Sequence, residues 1–365
     1  MPSSRPYRIA VNTGGGDAPG LNAVIRAVVL SALSEGWEVY GIRQGYQGLI
    51  KGDGVVPLDR ASVQGITHLG GTILGTTNRG NPFEWPRTLP DGSVEMVDRS
   101  SEILDVFEDH GLDALVAIGG DGSLHIAAEL SRRGLPVVGV PKTIDNDLAA
   151  TQVTFGFHTA VQTATDAIDK LHSTAHSHER VMVVELMGRH TGWITLYAGI
   201  SGTADVIVIP EVPFEFESLA EAIRQKYERG PRYAIVAVAE GARPKGGDPA
   251  MVTKGGDGGN PRYGGVGEWV AQELQERTGF ESRSLVLGHL QRGGQPTAYD
   301  RLLALRFGSA AVDLVAQGHF GCMVGLDPPD VRGVPLEEAV ATLKTVPPDG
   351  DQVRTARRLG ISFGD

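Results

Sequence analysis

The chain alternates short apolar runs with stretches in which apolar residues recur at roughly the 3.6-residue period of a helix, and this alternation constrains the fold most. The apolar runs predict strands, and the stretches between them predict amphipathic helices. Strands that alternate with helices form parallel sheets with helices on both faces. The sequence therefore predicts an α/β fold, with strands at residues 8–13, 37–43, 114–119, 135–140, 181–186, 206–210, 233–239 and 283–287.

Length and composition narrow the class of protein. With 365 residues, the chain is long enough for two α/β domains. A formal net charge of −11 argues against nucleic acid and anionic membranes as partners, so an anionic substrate would need locally clustered arginines and lysines. Cys322 is the single cysteine, which precludes an internal disulfide and favours a cytoplasmic location. No apolar run reaches the length of a membrane span, and the N-terminus lacks an apolar signal core.

Two glycine-rich turns each follow a predicted strand and precede a predicted helix. The first is Gly14–Gly20 and the second is Gly119–Ser123. Glycine lets backbone N–H groups approach phosphate oxygens closely, and a helix N-terminus favours an anion. Asp121 in the second turn is a candidate ligand for Mg²⁺, which proteins bind through few carboxylates together with phosphate oxygens.

The stretch Pro141–Asp147 places two carboxylates, Asp145 and Asp147, directly after a buried apolar run. Catalytic groups of α/β proteins lie where strands end. One carboxylate can accept a proton from a hydroxyl while the other orients it. A loop that caps the next helix is the alternative, since Asp and Asn are common caps. Together with the phosphate turn, the acid pair favours a phosphoryl-transfer site.

Further candidate groups stand near the ends of other strands. Tyr46 could stack on a purine, although packing is the alternative role. Arg79 lies in a glycine-rich loop and could reach a phosphate. Arginine forks match the geometry of phosphate, so arginines repeated beside glycines predict a pocket for an anion. The remaining strand-end residues are Arg180, Arg189, Glu240, Arg283, His289 and Arg292.

Two long stretches lack a clear strand or helix pattern. Residues 80–100 are polar and contain proline and glycine, which predicts a surface loop. Residues 243–264 are dense in glycine and include Gly255–Gly259, which imitates a phosphate turn. That stretch follows no strand and opens no helix, so a hairpin or loop is predicted.

Five of these motifs, laid side by side, resemble the 6-phosphofructokinase family. They occur in the family's order, cover about residues 7–310 and are together highly specific. The motifs are Gly15–Asn22, Gly119–Ser123, Pro141–Asp147, Met187–His190 and Gly288–Gly294.

The resemblance implies two similar three-layer α/β/α domains with mainly parallel sheets and an active site in the cleft between them. Residues 1–157 with about 293–340 would bind the phosphoryl donor, and residues 158–292 with the C-terminal segment would bind fructose 6-phosphate. The implied reaction is a step of glycolysis. It is the Mg²⁺-dependent transfer of the γ-phosphoryl group of ATP to the 1-hydroxyl of fructose 6-phosphate, giving fructose 1,6-bisphosphate and ADP.

The resemblance also implies a role for each matched residue. Asp145 would be the general base, with Thr143 and Asp147 beside it, and Arg189 would stabilise the transferring phosphoryl group. The sugar-phosphate pocket would be lined by Met187, Gly188, Glu240, His289 and Arg292. The phosphoryl donor would contact Gly16, Tyr46, Arg79, Gly120, Asp121, Gly122, Ser123 and Lys142, with Asp121 also serving Mg²⁺.

Two arginines would act across a subunit boundary. In this family, the residues at the positions of Arg180 and Arg283 come from a neighbouring subunit. The resemblance therefore implies a homo-oligomer, either a dimer or a tetramer, in which active sites are shared.

The phosphoryl donor stays open between ATP and pyrophosphate. In the family, glycine at position 122 accompanies ATP, whereas an aspartate there accompanies pyrophosphate because it would repel and crowd the α-phosphate. Lys142 is the residue that pyrophosphate users carry. Asn78 and Ile126 also differ from residues that ATP enzymes often have at these positions. Because a charge at the α-phosphate is the harder obstacle, ATP is predicted as the donor and pyrophosphate is the alternative.

Functions of two other classes can be weighed against a kinase. A non-catalytic sugar-phosphate sensor on the same fold would lack the acids, but Asp121, Asp145 and Asp147 are all present. A nicotinamide oxidoreductase would need an acid at the end of the second strand, where Arg43 stands. The sequence therefore favours phosphoryl transfer.

Overall fold

The computed structural model describes residues 5–253 and 262–365, which form two compact units. Unit 1 contains the residues up to Ile144 together with Leu148–His158 and Arg292–Leu343. Unit 2 contains Asp145–Asp147, Thr159–Gln291 and Lys344–Asp365. The short acid-bearing stretch after the fourth predicted strand thus belongs to unit 2, although its neighbours in the chain on both sides belong to unit 1.

The strands and helices are numbered in chain order. The strands of the described residues are β1 (Arg8–Thr13), β2 (Glu38–Ile42), β3 (Val55–Leu58), β4 (Trp85–Thr88), β5 (Val94–Val97), β6 (Ala114–Gly119), β7 (Val137–Thr143), β8 (Phe155–Gly156), β9 (Val181–Leu186), β10 (Val206–Val208), β11 (Ala234–Ala239), β12 (Met251–Thr253), β13 (Arg262–Tyr263), β14 (Ser282–Val286), β15 (Cys322–Asp327) and β16 (Asp330–Pro335). The helices are α1 (Leu21–Ser34), α2 (Tyr46–Lys51), α3 (Ser100–Asp109), α4 (Asp121–Arg132), α5 (Phe157–His178), α6 (Trp193–Ser201), α7 (Phe216–Arg229), α8 (Val266–Thr278), α9 (Ala298–Ala316), α10 (Leu336–Ala341) and α11 (Asp351–Arg358), with a 3₁₀ helix at Gly288–Arg292.

The central sheet of unit 1 has the strand order β16-β15-β7-β6-β1-β2-β3, and β8 pairs with the end of β7. Its inner strands are parallel, whereas the edge strands β3 and β16 run antiparallel to their neighbours. From β1 the chain adds β2 on one side, and later adds β6 on the other. The strand order therefore reverses between β1 and β6, and ligands of open α/β sheets bind at the carboxyl ends beside such a point.

Helix α1 packs against helix α9 in unit 1, and a glycine sets how closely they approach. A Cβ atom added to Gly308 in α9 would lie 2.6 Å from Cβ of Ala27 and 2.7 Å from the carbonyl oxygen of Val24. Distances this short are not tolerated between unbonded atoms, so the close packing of these helices requires glycine at this position.

The four-stranded sheet of unit 2 has the order β10-β11-β9-β14, and every pairing in it is parallel. Strand β11 is buried along its whole length, in keeping with its run of small and branched apolar residues. Because the strands are parallel, the carboxyl ends of β9, β11 and β14 meet at one edge of the sheet. This edge carries the residues that follow Leu186, Ala239 and Val286.

The predicted α/β class with mainly parallel sheets is confirmed. Strand β7 extends to Thr143, three residues beyond its predicted end at Val140, because β6 and β8 pair with this extension. None of the helices in the described part of the chain combines the length and apolar character of a membrane span.

The prediction of a surface loop at residues 80–100 was wrong. Strands β4 and β5 form an antiparallel hairpin there, and α3 begins at Ser100. Both strands lie largely exposed, so they lack the alternation of buried and exposed side chains that marks a strand in a sequence. Within residues 243–264, β12 pairs with β13 in the way that the predicted hairpin would require. The imitation of a phosphate turn at Gly255–Gly259 lies outside the described residues.

Candidate active site

The two glycine turns of unit 1 contact each other at the carboxyl ends of β1 and β6. The N–H group of Gly14 donates a hydrogen bond to the carbonyl oxygen of Ile118 at 2.9 Å. A Cβ atom on Gly14 would lie 2.5 Å from Oγ of Ser123, and one on Gly119 would clash with the same side chain. Glycine is therefore needed at both positions for the turns to meet at the point where the strand order reverses.

Two cations from distant parts of the sequence bind the first turn. Lys142 is 3% exposed, and its Nζ donates a hydrogen bond to the carbonyl oxygen of Gly16. Nη1 of Arg292 donates to the carbonyl oxygen of Asp17 at 3.0 Å. A side chain on Gly16 would clash with the guanidinium group of Arg292. The turn thus combines glycines, which have no side chain, with two nearby positive charges, which suits a phosphate anion.

Helix α4 begins inside the second turn and directs its N-terminus there. Gly120 is the N-cap residue, and the N–H group of Leu124 donates to its carbonyl oxygen at 3.0 Å. Gly122 is exposed, and a Cβ atom placed on it would meet no atom within 4 Å. The N-terminus of a helix carries partial positive charge, so this turn also suits a phosphate group.

Asp121 is the candidate ligand for Mg²⁺ in this turn. Its carboxylate is partly exposed and lies 3.2 Å from Nδ1 of His125. Among the described residues, no group of three or more acidic, histidine or cysteine side chains is arranged to hold a metal ion. A single carboxylate fits Mg²⁺ that arrives with phosphate, because phosphate oxygens and water supply the other ligands.

Tyr46 and the loop that carries Arg79 adjoin these turns in different ways. The ring of Tyr46 is 4% exposed and packs in the core, and its hydroxyl donates to the carbonyl oxygen of Ser123 at 3.0 Å. Burial raises the pKa of this hydroxyl above its ordinary value. The structure therefore places Tyr46 as a support for the second turn and not as an open face for a purine. Arg79 is exposed, in a loop whose Thr77 accepts a hydrogen bond from the N–H group of Gly15 at 3.1 Å.

In unit 2, the ends of three parallel strands converge on Met187–His190. The N–H group of Glu240 donates to the carbonyl oxygen of Leu186 at 2.9 Å, and that of Gly241 donates to Gly188 at 3.1 Å. Gly188 has a φ of +146°, and a side chain there would approach the carbonyl oxygen of Thr191 to 2.6 Å. This edge brings together five of the predicted site residues: Met187, Gly188, Arg189, Glu240 and His289.

The acid turn, defined as Asp145–Asp147, is fixed to the same unit by its backbone. Oγ1 of Thr191 donates to the carbonyl oxygen of Asp145 at 3.2 Å. Asn146 is 5% exposed and has a φ of +52°, in the left-handed region that asparagine enters more readily than most residues. Asp145 and Asp147 themselves are partly exposed, although Oδ1 of Asp147 is buried.

Arg180 and Arg283 lie at the opposite end of the unit 2 sheet. Arg180 precedes β9, and Arg283 pairs in register with Met182. Met182 and Met187 are five residues apart along the chain, which corresponds to roughly 16 Å. Glu281 lies between the two arginines, with Oε2 2.8 Å from Nε of Arg180 and Oε1 2.5 Å from Nη2 of Arg283. These contacts lower the pKa of Glu281.

Three residues near the acid turn were not predicted from the sequence: Thr191, Glu211 and Lys344. Nζ of Lys344 donates to Oδ1 of Asn146 at 2.9 Å. The carboxylate of Glu211 accepts hydrogen bonds from the N–H groups of Gly192 and Val346, and burial raises its pKa. Glu211 directly follows the predicted strand at residues 206–210, so the position of an acid at a strand end could have signalled it. Lys344 adjoins neither a glycine-rich turn nor a predicted strand end, so only the fold reveals it.

Comparison with known proteins identifies the family. The family model described as Phosphofructokinase matches residues 8–315, which is most of the chain. The chain belongs to the phosphofructokinase family. The matched range contains the glycine turns, the acid turn and the convergent strand ends of unit 2.

Relatives in this family fall into two groups by name. The ATP-dependent 6-phosphofructokinase of Chloroflexus aurantiacus is 53% identical over 363 residues, covering 100% of this chain and 99% of the relative. The pyrophosphate–fructose 6-phosphate 1-phosphotransferase of Amycolatopsis methanolica is 54% identical over 345 residues, covering 94% of this chain and 97% of the relative. The percentage of sequence identity alone therefore does not show whether this chain uses ATP or pyrophosphate as its phosphoryl donor.

Solved phosphofructokinases share the fold. The Pichia pastoris phosphofructokinase in the T-state superposes with a TM-score of 0.80 at 34% identity over 93% of this chain. This chain spans only 36% of the Pichia chain. The pyrophosphate-dependent phosphofructokinase of Marinobacter aquaeolei gives a TM-score of 0.79 at 22% identity, covering 95% of this chain and 87% of that chain, a likeness of fold alone.

Proposed function

We propose that this phosphofructokinase is ATP-dependent and transfers the γ-phosphoryl group of ATP to the 1-hydroxyl of fructose 6-phosphate. The observation that carries the proposal is the pair of glycine turns, which meet beside Lys142, Arg292 and the N-terminus of α4 in a chain that also holds the acid turn. The full-length match to relatives named as ATP-dependent supports the same reaction. A cytoplasmic location is part of the proposal.

Asp145 accepts the proton of the acceptor hydroxyl as the hydroxyl oxygen attacks the γ-phosphorus. Thr143 and Asp147 flank the base, and Arg189 stabilises the negative charge of the phosphoryl group in transfer. Such a reaction depends chiefly on position and charge neutralisation, because the phosphoryl group passes through a loose transition state. Asp121, together with phosphate oxygens, would hold Mg²⁺, which would supply further neutralisation of the phosphate charge.

The strand-end edge of unit 2 binds the sugar phosphate. Met187 is buried and offers apolar contact, and Glu240 can accept hydrogen bonds from sugar hydroxyls. His289 is exposed in the 3₁₀ helix that follows β14. Arg292 ends that helix and is proposed as a phosphate ligand, although the structure shows its guanidinium group on the first glycine turn of unit 1.

The donor proposal depends on Gly122. Because a Cβ atom built there would meet no other part of the chain within 4 Å, position 122 presents open space and no carboxylate to the donor phosphates, beside the carboxylate of Asp121. Gly16, Gly120 and Ser123 complete the turns on which the donor lies, and Arg79 adds an exposed positive charge. Pyrophosphate is the second candidate for two reasons. Nζ of Lys142 contacts the first turn at the carbonyl oxygen of Gly16, and the Amycolatopsis methanolica relative is named as a pyrophosphate-dependent enzyme.

The same enzyme acts as a homo-oligomer, a dimer or a tetramer, in which Arg180 and Arg283 serve the site of a neighbouring subunit. Their separation from Met187 within their own unit supports this arrangement, because an arginine side chain is far shorter than roughly 16 Å. The edge strand β14 also exposes apolar side chains, with Val286 57% exposed. Exposed apolar surface on an edge strand is typical of a protein interface.

Subunit exchange tests this arrangement. Arg283→Ala should mainly raise KM for fructose 6-phosphate and Asp145→Asn should lower kcat, so neither protein alone is very active at low fructose 6-phosphate. Mixing them under conditions that exchange subunits should restore part of the activity. Restoration follows because some sites then receive an intact Asp145 and an intact Arg283 from different chains. Proven exchange without any recovery would reject shared sites.

Product analysis tests the function itself. Purified protein incubated with fructose 6-phosphate, Mg²⁺ and ATP should form fructose 1,6-bisphosphate and ADP in equal amounts, without a nicotinamide cofactor. Phosphorus NMR assigns the new phosphate to the 1-position. Absence of the bisphosphate with both ATP and pyrophosphate would reject the proposal.

A further inference from the structure

The segment Lys344–Val346 crosses unit 2 beside the acid turn and contacts it through both backbone and side chain. The N–H group of Lys344 donates to the carbonyl oxygen of Asp147 at 2.8 Å. Its Nζ donates to Oδ1 of Asn146 at 2.9 Å. The carbonyl oxygen of Lys344 accepts from Nε1 of Trp193 at 2.8 Å, which links the segment to α6.

The segment is held at its other end as well. The N–H group of Val346 donates to Oε1 of Glu211 at 2.8 Å. The same carboxylate accepts from the N–H group of Gly192 at 3.0 and 3.1 Å, directly before α6. Lys344 therefore approaches the acid turn from a fixed support, and its ammonium group has a defined position.

The contact falls on the residue that determines the shape of the turn. Asn146 stands between Asp145 and Asp147 and adopts a left-handed backbone conformation that costs free energy for a residue with a side chain. Its two peptide planes set the directions in which the neighbouring carboxylates leave the backbone. A bond from Lys344 to the Asn146 side chain therefore constrains both carboxylates.

Charge supports the same role. Lys344 is partly buried, and burial lowers its pKa to about 8, an effect that the nearby Asp147 carboxylate opposes. The ammonium form thus predominates at neutral pH. The positive charge of Lys344 therefore lies close to the acid turn, where it interacts with the Asp147 carboxylate.

We propose that Lys344 is a positioning residue for phosphoryl transfer, whose bond to Asn146 orients the acid turn so that Asp145 meets the acceptor hydroxyl. The inference rests on the proposed function, because it assigns the role of base to Asp145. Lys344 acts through Asn146 and does not touch the reacting atoms.

The test compares Lys344→Met, which keeps the aliphatic stem, with Lys344→Arg and with Asn146→Gly, which keeps the positive φ without the side chain. We expect Lys344→Met to lower kcat roughly 10–100-fold, the range for loss of a hydrogen bond to a charged group, with KM for both substrates within about threefold. Lys344→Arg should recover part of kcat. The double variant Lys344→Met/Asn146→Gly should have a kcat no lower than that of the slower single variant, since both substitutions remove the same hydrogen bond between Lys344 and Asn146.

Lys245→Met is the matched control, because Lys245 is an exposed lysine of unit 2 that pairs with Glu215. Its kinetics should equal those of the wild type. A kcat within about threefold of wild type in Lys344→Met, a loss confined to KM, or multiplied losses in the double variant would overturn the inference. If Lys344→Met fails to fold, an unchanged kcat in Asn146→Gly overturns it. A wild type inactive with both donors would instead reject the proposed function.

Discussion

At the scale of single residues, the site depends on side chains that act on backbone atoms. Lys142, Arg292, Thr191 and Tyr46 each donate a hydrogen bond to a carbonyl oxygen of a turn that bears candidate functional groups. Such bonds fix the turns before a substrate binds, which is the form of preorganisation that phosphoryl transfer requires. Their loss should reduce turnover even where the substrate-contacting residues are intact.

The most direct prediction at this scale concerns Asp145. We expect Asp145→Asn to lower kcat by roughly 10²–10⁴-fold, the range for removal of a general base, while binding of fructose 6-phosphate is kept. Steady-state kinetics and calorimetric binding of the sugar phosphate measure the two effects separately. Asp349→Asn, a change of an exposed acid remote in sequence, is the control. Turnover within about threefold of wild type would remove Asp145 from this role.

Individual residues can be proposed from the sequence where local chemistry marks them. Glycines after apolar runs and acids at a strand end have direct physical reasons, and the structure places them at the ends of β1, β6 and β7. Lys344 could not be found in this way, because it is separated from Asn146 by 198 positions and belongs to a stretch without periodicity. The burial of Tyr46 could not be predicted either, since a tyrosine after a strand can stack on a bound purine or pack in the protein core.

At the scale of secondary structure, prediction succeeded where an element is buried and failed where it is exposed. The buried runs in β6, β9 and β11 show their apolar character directly. The hairpin of β4 and β5 contains apolar residues such as Trp85, Val94 and Met96, but both strands lie largely exposed and show no alternation of burial. The turn between them contains Gly92, which has a φ of +84°. The extension of β7 to Thr143 depends on pairing with β8, a two-residue strand that no local sequence pattern predicts.

The packing of α1 against α9 gives a prediction for stability. Gly308→Ala should lower the free energy of unfolding by about 1–3 kcal/mol, because the new methyl group would press on Ala27 and on the Val24 carbonyl. Gly122→Ala, also at a helical position of unit 1 but with open space at its Cβ, should be neutral or stabilising by up to about 1 kcal/mol. Thermal and denaturant unfolding measure both. Equal effects of the two variants would contradict the packing described here.

At the scale of the whole molecule, an acidic protein must bind anionic substrates. The net charge of −11 would repel phosphate in general, so the fold has to concentrate positive charge locally. It does so by bringing Lys142 and Arg292 to the first turn from 126 and 275 positions away. The turns themselves can be predicted from the sequence, whereas this convergence is a property of the folded chain.

The choice of phosphoryl donor tests the central claim most directly. We would measure kcat/KM of the purified wild-type protein for ATP and for pyrophosphate, at saturating fructose 6-phosphate and equal free Mg²⁺. Because Gly122 places no carboxylate at the N-terminus of α4, kcat/KM should favour ATP by about tenfold or more, equivalent to about 1.4 kcal/mol of transition-state stabilisation. A wild type with higher kcat/KM for pyrophosphate would contradict the claim and show that Lys142 outweighs Gly122 in selecting the donor.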